Sequence, residues 1–218
     1  MNMIERKIEL SDAAFMRHAS NLVKGHLGAD RIIPVREAGG SHEAKLALDR
    51  CSGIDFLARI NGSLVGIANR TRYDRTVYQS CTLRLHPTGN GQCEFNKRVQ
   101  EIIHPGAHLL WPAYTVYTTV SDAASSQCIA IYLVQTFPMV AAALDQQNAA
   151  YWTVQAGNDV YQPFLNLWHP GLIKAGVTIV PLIQPTARII SGLRATSRVN
   201  LLYPDCGHQA PVPFRHAA

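Results

Sequence analysis

The chain has 218 residues, with 20 Lys and Arg against 15 Asp and Glu and a net charge of +5 at pH 7. Hydrophobic residues make up 47% and charged residues 16% of the sequence, which excludes an intrinsically disordered chain and predicts a globular domain with a sizeable core. The mild basic excess is compatible with a nucleic acid or another acidic partner but does not require one.

The five cysteines are widely spaced and never form a Cys-x-x-Cys pair. Neither a disulfide framework nor a zinc knuckle is predicted, and Cys206-Gly207-His208 is interpreted as a chance match to a metal motif. Residues 1–10 alternate charged and apolar side chains without the apolar core of a signal peptide, and no apolar run is long enough to span a bilayer. We therefore expect a cytoplasmic protein with reduced thiols and no membrane partner.

The first elements in chain order are two helices. Ser11-Asp12 precedes apolar residues at three- and four-residue steps, which predicts a capped amphipathic helix that ends near Gly25 or Gly28. Residues 41–49 predict a second, short helix that carries Glu43.

A β-hairpin follows and is the clearest element of the sequence. Asn61-Gly62 separates two alternating segments, and this dipeptide is the strongest short-range signal for a two-residue type I′ turn. Because side chains alternate with a period of two, Asp55 lies on one face of the first strand, and Ala68 and Arg70 share one face of the second. If the turn brings these faces to the same side of the sheet, Asp55 and Arg70 face each other.

The rest of the chain predicts strands and short helices around this hairpin. Strands are predicted at 32–35, 78–85, 113–120, 128–134, 151–155, 161–168 and 177–183, and helices at 94–103, 139–145 and 172–175. Residues 184–218 lose periodicity and contain four prolines and four arginines. The predicted architecture is an α/β domain over residues 1–183, a mixed central β-sheet with flanking helices, followed by a basic C-terminal arm over residues 184–218 that orders on a partner.

Residues 53–72 resemble the core of the PD-(D/E)XK, or restriction-endonuclease-like, nuclease superfamily. In that family Gly-x-Asp on one strand is followed on the next strand by Glu-x-Lys, often with Thr-Arg after it. Gly53-Ile54-Asp55 fits the first part, and residues 68–72 have the spacing of the second. By element order the resemblance covers residues 11–120 and implies a restriction-endonuclease-like core with Asp55 as a metal ligand. Two positions depart from the pattern, since Ala68 replaces the glutamate and Arg70 replaces the lysine.

These departures affect the metal site that the resemblance implies. In the family, carboxylates bind Mg²⁺, which activates water, and the lysine orients the nucleophile. Arg70 remains charged at any ordinary pH and pairs bidentately with carboxylates, so it can occupy the space that a metal needs beside Asp55. We expect a remnant catalytic centre of Asp55 and Arg70. Alternatively, the missing acid has moved to Glu43 or Glu94, and Mg²⁺ binds that acid together with Asp55.

The densest basic and aromatic patch lies after the hairpin. Arginine side chains that bind phosphate are interleaved there with Tyr73 and Tyr78, which could stack on exposed bases. The predicted phosphate contacts are Arg72, Arg75, Arg84, Lys97 and Arg98, the last two on the polar side of the helix over 94–103. A solvated strand edge protected by charge, with a simple surface salt bridge between Asp55 and Arg70, is the structural alternative.

Three functions are compatible with this sequence. The favoured prediction is a nucleic-acid-binding protein, for DNA in preference to RNA, with a nuclease-like fold and a degraded metal site. The second is an active Mg²⁺-dependent endonuclease, a phosphodiesterase with a relocated acid. The third is a protein-interaction subunit or inhibitor that keeps the fold as a scaffold and contacts its partner through the C-terminal arm. No cofactor other than Mg²⁺ is predicted.

Overall fold

Helices and strands alternate along the residues that the structure, a computed structural model, describes: 3–46, 48, 53–85, 87–88, 92–104, 110–122, 127–155, 164–185 and 189–190. The α-helices are α1 (Met3–Ala14), α2 (Ser20–Leu27), α3 (His42–Leu46), α4 (Glu94–Ile103), α5 (Thr136–Leu144) and α6 (His169–Lys174). The strands are β1 (Arg31–Pro34), β2 (Phe56–Ile60), β3 (Ser63–Tyr73), β4 (Val77–Tyr78), β5 (Ser80–Arg84), β6 (Pro87–Thr88), β7 (Gln92–Cys93), β8 (Pro112–Val120), β9 (Cys128–Gln135), β10 (Trp152–Gln155), β11 (Phe164–Trp168), β12 (Ile179–Ile183) and β13 (Ile189–Ile190).

A six-stranded mixed sheet in the order β1-β2-β3-β8-β9-β12 forms the central layer. Its neighbouring strands are antiparallel, except that β3 and β8 are parallel. A parallel pair needs a crossover connection, and α4 lies in the chain between these two strands. The prediction of an α/β fold with a mixed central sheet and flanking helices is confirmed.

The turn between β2 and β3 has the predicted backbone conformation. Asn61 and Gly62 have φ angles of 49° and 79°, and a type I′ turn requires positive φ at both central residues. Leu57 lies opposite Gly66 in the hairpin register, so alternation places Asp55, Ala68 and Arg70 on one side of the sheet.

The N-terminal helices cover the opposite side. A π-helical segment, Phe15–Ala19, joins α1 to α2, and Phe15 stacks on Phe56 with 4.0 Å between the ring centroids. Helix α2 ends before Gly28, which has a left-handed φ of 61°, as predicted. The predicted start is wrong, because Ser11 lies inside α1. There its hydroxyl donates to Thr71 Oγ1 at 3.0 Å, a contact to the sheet and not a helix cap.

The side of the sheet that carries Asp55 is covered by α4, α5 and a second sheet in the order β10-β11-β5. The core between these layers includes Leu83, Phe95, Tyr117, Met139 and Trp152. The segment predicted as a strand at 78–85 is extended, but β5 pairs with β11 and not with the central sheet. Alternation predicts that a segment is a strand without identifying the strand with which it pairs.

Two further predictions concern the C-terminal half. Helix α5 begins at Thr136, earlier than predicted, and Pro138 lies within its first turn. In the predicted arm, Ile189–Ile190 form a strand parallel to β4, while residues 186–188 and 191–218, with all four of its arginines, lie outside the described residues. Within the described part of the chain, no helix is both long and apolar enough to cross a bilayer, and Cys81, Cys93 and Cys128 are free thiols.

Candidate functional site

Asp55 and Arg70 lie next to each other on the sheet, as the hairpin pattern predicts. Arg70 Nη1 is 3.8 Å from Asp55 Oδ2, and the two side chains are 19% and 25% exposed. The same Asp55 oxygen accepts a 2.6 Å hydrogen bond from the backbone N–H of Asn69, while Arg70 Nη1 donates to the Asn69 carbonyl at 2.7 Å. The pair is therefore fixed by backbone contacts as well as by charge.

Glu94, the first residue of α4, brings a second carboxylate to Arg70. Its Oε1 forms an ion pair and hydrogen bond with Arg70 Nη2, and its Oε2 accepts from the backbone N–H of Arg84 at 3.2 Å. The helix start is defined by Cys93, whose Sγ accepts from Asn96 N at 3.4 Å. An acid in the first turn is favoured by the helix dipole. Arg70 thus lies between Asp55 on the hairpin and Glu94 on the following helix.

Arg98 attaches this helix to the loop that precedes β2. The guanidinium is 2% exposed, and its Nη2 lies 3.9 Å from Glu94 Oε1 and donates to the Gly53 carbonyl at 3.0 Å. It also lies over the Trp111 ring, 5.0 Å from the centroid. Gly53 has φ +60°, and a Cβ at this position would lie 2.9 Å from Arg98 Nη2. The backbone conformation thus favours glycine at this position of the Gly-x-Asp motif, and a Cβ there would have to displace the Arg98 guanidinium.

Charge in this cluster is strongly coupled. Burial raises the pKa of the Glu94 carboxyl, but the charges of Arg70, Arg98 and Arg84 outweigh burial and lower this pKa from 4.5 to about 2. Burial lowers the pKa of Arg70, but Glu94 and then Asp55 raise it above its ordinary value. The charge of Arg70, followed by burial, lowers the pKa of Arg84. Among the described side chains of this cluster, three guanidinium groups lie near two carboxylates.

The arrangement does not fit a magnesium ion. Arg70 pairs with both carboxylates that could serve as ligands, and buried Ala68, at 0% exposure, supplies no oxygen. Glu43 is exposed on α3, and within the described ranges no hydrogen bond or ion pair joins it to Asp55. In that same part of the chain, no group of three or more His, Cys, Asp and Glu side chains is placed to hold a metal ion.

The predicted phosphate-binding residues have different surroundings. The expectation that Lys97 and Arg98 lie on a polar helix side is wrong, since they are 9% and 1% exposed. Arg72 donates to the Tyr78 and Ser80 carbonyls, each at 3.2 Å, and its guanidinium connects β3 to the strands that follow. The exposed members of the set are Arg75 and Arg84.

The sequence pattern did not identify the roles of Arg98 and Gly53 in this cluster. A signal was present, because Glu94 and Arg98 are four residues apart and such pairs meet on a helix surface. Burial of that helix face against Trp111, however, depends on tertiary packing.

No protein-family model matches this chain, and searches of curated proteins and of solved structures yield no match either. Functional inference therefore rests on the geometry of the cluster itself.

Proposed function

We propose that this protein binds nucleic acid with a nuclease-like fold in which Arg70 fills the former metal site. The observation that carries the proposal is the position of Arg70 between the carboxylates of Asp55 and Glu94. A guanidinium there neutralises charge that a divalent cation would otherwise balance, and it forms directional hydrogen bonds that hold it in place.

The order of elements supports a restriction-endonuclease-like core. Helices α1 and α2 precede three antiparallel strands, β1 to β3, and α4 then leads to β8, which is parallel to β3. Asp55 directly precedes β2, and Arg70 lies on the adjacent strand β3.

The charge of the cluster supports phosphate binding. Arg84 is exposed and lies near enough to Arg70 for that charge to lower its pKa. A phosphate beside Arg84 would relieve this repulsion between like charges. Arg75 is also exposed and lies between β3 and β4. We therefore assign phosphate contacts to Arg84 and Arg75, without Lys97 or Arg98.

Fluorescence anisotropy with labelled DNA and RNA oligonucleotides tests the proposal. Binding should weaken steeply between about 50 and 200 mM NaCl, because phosphate contacts release counterions. Binding should persist in EDTA and should not require Mg²⁺, because Arg70 already balances the two carboxylates. Binding that requires Mg²⁺ would contradict the proposal that Arg70 occupies the metal site.

A second candidate, an active Mg²⁺-dependent endonuclease, is favoured by one observation. Glu94 and Asp55 come from different elements and yet contact the same guanidinium. This is expected if Glu94 replaces the glutamate that the motif lacks at Ala68. Plasmid cleavage that needs Mg²⁺ and disappears in both Asp55→Ala and Glu94→Gln would replace the first proposal. Absence of both binding and cleavage would leave the protein-partner hypothesis, which co-purification tests.

A further inference from the structure

An aromatic cleft lies on the side of Arg98 that carries Trp111. It has a volume of about 410 Å³ and is bounded by the last turns of α4, the start of β8 and the junction of β9 with α5. This is within the usual range of small-molecule sites, about 300–1,000 Å³. Trp111, Tyr114 and Phe137 supply its aromatic walls.

Two of these aromatic side chains are accessible from solvent. Phe137 is 50% exposed, whereas Trp152 and Trp168 are almost fully buried. Trp111 is only half-buried. Exposure of an aromatic ring forgoes the free energy that burial would provide. A planar ligand that covered Phe137 and Trp111 would recover it.

The polar groups of the cleft restrict the chemistry of that ligand. Gln135 is exposed at the rim and offers both an amide donor and an acceptor. Glu101 contributes a buried carboxylate to the wall. The lining contains no lysine or arginine among the described residues, so the cleft disfavours a phosphate and favours a neutral or cationic ring.

We propose that this cleft holds an unstacked nucleobase of a single-stranded nucleic acid whose backbone binds at Arg84. The inference rests on the proposed function and adds a base subsite to it. Trp111 is the cleft wall nearest the charged cluster, because Arg98, which lies over its ring, also pairs with Glu94. Stacking on an aromatic ring accepts any base, since every base has a π-face.

The test compares a single-stranded DNA oligonucleotide with an abasic oligonucleotide of the same length and phosphate number. Wild-type protein should bind the abasic strand about tenfold more weakly, as expected for loss of a stacked base. The Phe137→Ala variant should bind the normal strand more weakly by a similar factor, and its affinity for the abasic strand should be unchanged. Val154→Ala is the matched control, because Val154 is also an exposed apolar residue, at 44%, but lies on β10 outside the cleft.

Tryptophan emission provides a second readout. The normal strand should quench the emission of Trp111, and Trp111→Phe should lose this quenching, because Trp152 and Trp168 are buried. Equal, salt-sensitive binding of both strands would overturn the base subsite and leave the proposed function intact. Failure of both strands to bind would overturn the proposed function, and the base subsite with it.

Discussion

The guanidinium of Arg98 donates a 3.0 Å hydrogen bond to the carbonyl oxygen of Gly53. The same nitrogen lies 3.9 Å from Glu94 Oε1, so one buried side chain connects the loop before β2 to the first turn of α4. Asp55 follows Gly53 closely in the chain. The distance between Asp55 and Glu94 therefore depends on Arg98, which takes no part in the ion pairs that Arg70 forms with these two carboxylates.

Replacement of Gly53 by alanine should destabilise the protein. The left-handed φ costs a non-glycine residue about 1–2 kcal/mol, and the new Cβ would lie 2.9 Å from Arg98 Nη2. We expect the free energy of unfolding to fall by about 2–3 kcal/mol in urea denaturation. Gly176→Ala is the control, since Gly176 has φ +79° and a Cβ added there would have no described neighbour within 4 Å. An equal loss in both variants would show that the Arg98 contact contributes nothing.

A double-mutant cycle should reveal strong coupling between Arg70 and Glu94. Both side chains are largely buried, and removal of either one takes away the nearest charge partner of the other. We expect a coupling energy of about 1–3 kcal/mol from Arg70→Met, Glu94→Gln and the double variant. The pair of Arg36 and Asp12 is 3.5 Å apart, with Arg36 48% and Asp12 9% exposed, and should give a smaller coupling energy because water screens its guanidinium. Similar values for the two pairs would contradict a cooperative cluster.

The low pKa of Glu94 predicts a loss of stability in acid. The folded-state pKa of about 2 lies below the ordinary value of 4.5, so the carboxylate stabilises the fold above pH 4.5 and loses this contribution as the pH falls toward 2. The contribution is at most about 3 kcal/mol. Glu94→Gln should therefore flatten the dependence of unfolding free energy on pH between 4.5 and 2. Glu43→Gln, at an exposed position, should follow the wild-type curve.

Arg84→Gln should weaken nucleic-acid binding and reduce its dependence on salt. Loss of one phosphate contact lowers the slope of log K against log salt by about 1. Arg31→Gln removes the same charge from an exposed position on β1 and should change the slope less. If the two variants have equal slopes, Arg84 makes no specific phosphate contact.

Introducing the Glu and Lys of the PD-(D/E)XK motif at positions 68 and 70 should create a metal site. Ala68→Glu adds a carboxylate on the Asp55 side of the sheet, and Arg70→Lys replaces the guanidinium by the residue that the motif expects. We expect Mn²⁺ to raise the melting temperature of the double variant by several degrees and that of the wild type not at all. Because Ala68 is fully buried, the variant must first show a cooperative melting transition without metal. Equal responses to Mn²⁺ would contradict the proposal that Arg70 occupies the site.

The hairpin and its facing pair were predictable because they depend on local rules. Asn61-Gly62 specifies the turn, and a period of two then places Asp55 and Arg70 on the same side. Glu94 entered the prediction only as one alternative to Glu43. The position of Glu94 depends on how α4 packs against the sheet. Neither the alternation of residues nor their helix propensity predicts that packing.

Predictions failed where long-range packing determines the environment. Lys97 and Arg98 were expected in solvent because they are charged, but α4 is covered on that side as well. Ser11-Asp12 has the composition of a helix cap, yet α1 continues past it, and the Ser11 hydroxyl bonds to β3. Ser11 and Arg98 each find a partner far away in the chain.

The parallel pairing of β3 with β8 has a consequence for how the molecule acquires its structure. A hairpin such as β2–β3 closes in about 1–10 μs, whereas β8 can join only after α4 has crossed over the sheet. Pairings between segments distant in sequence slow the search for the native state. Refolding followed by hydrogen exchange should therefore protect the amides of β2 before those of β8, so that Asp55 and Arg70 meet first and Glu94 completes their surroundings late.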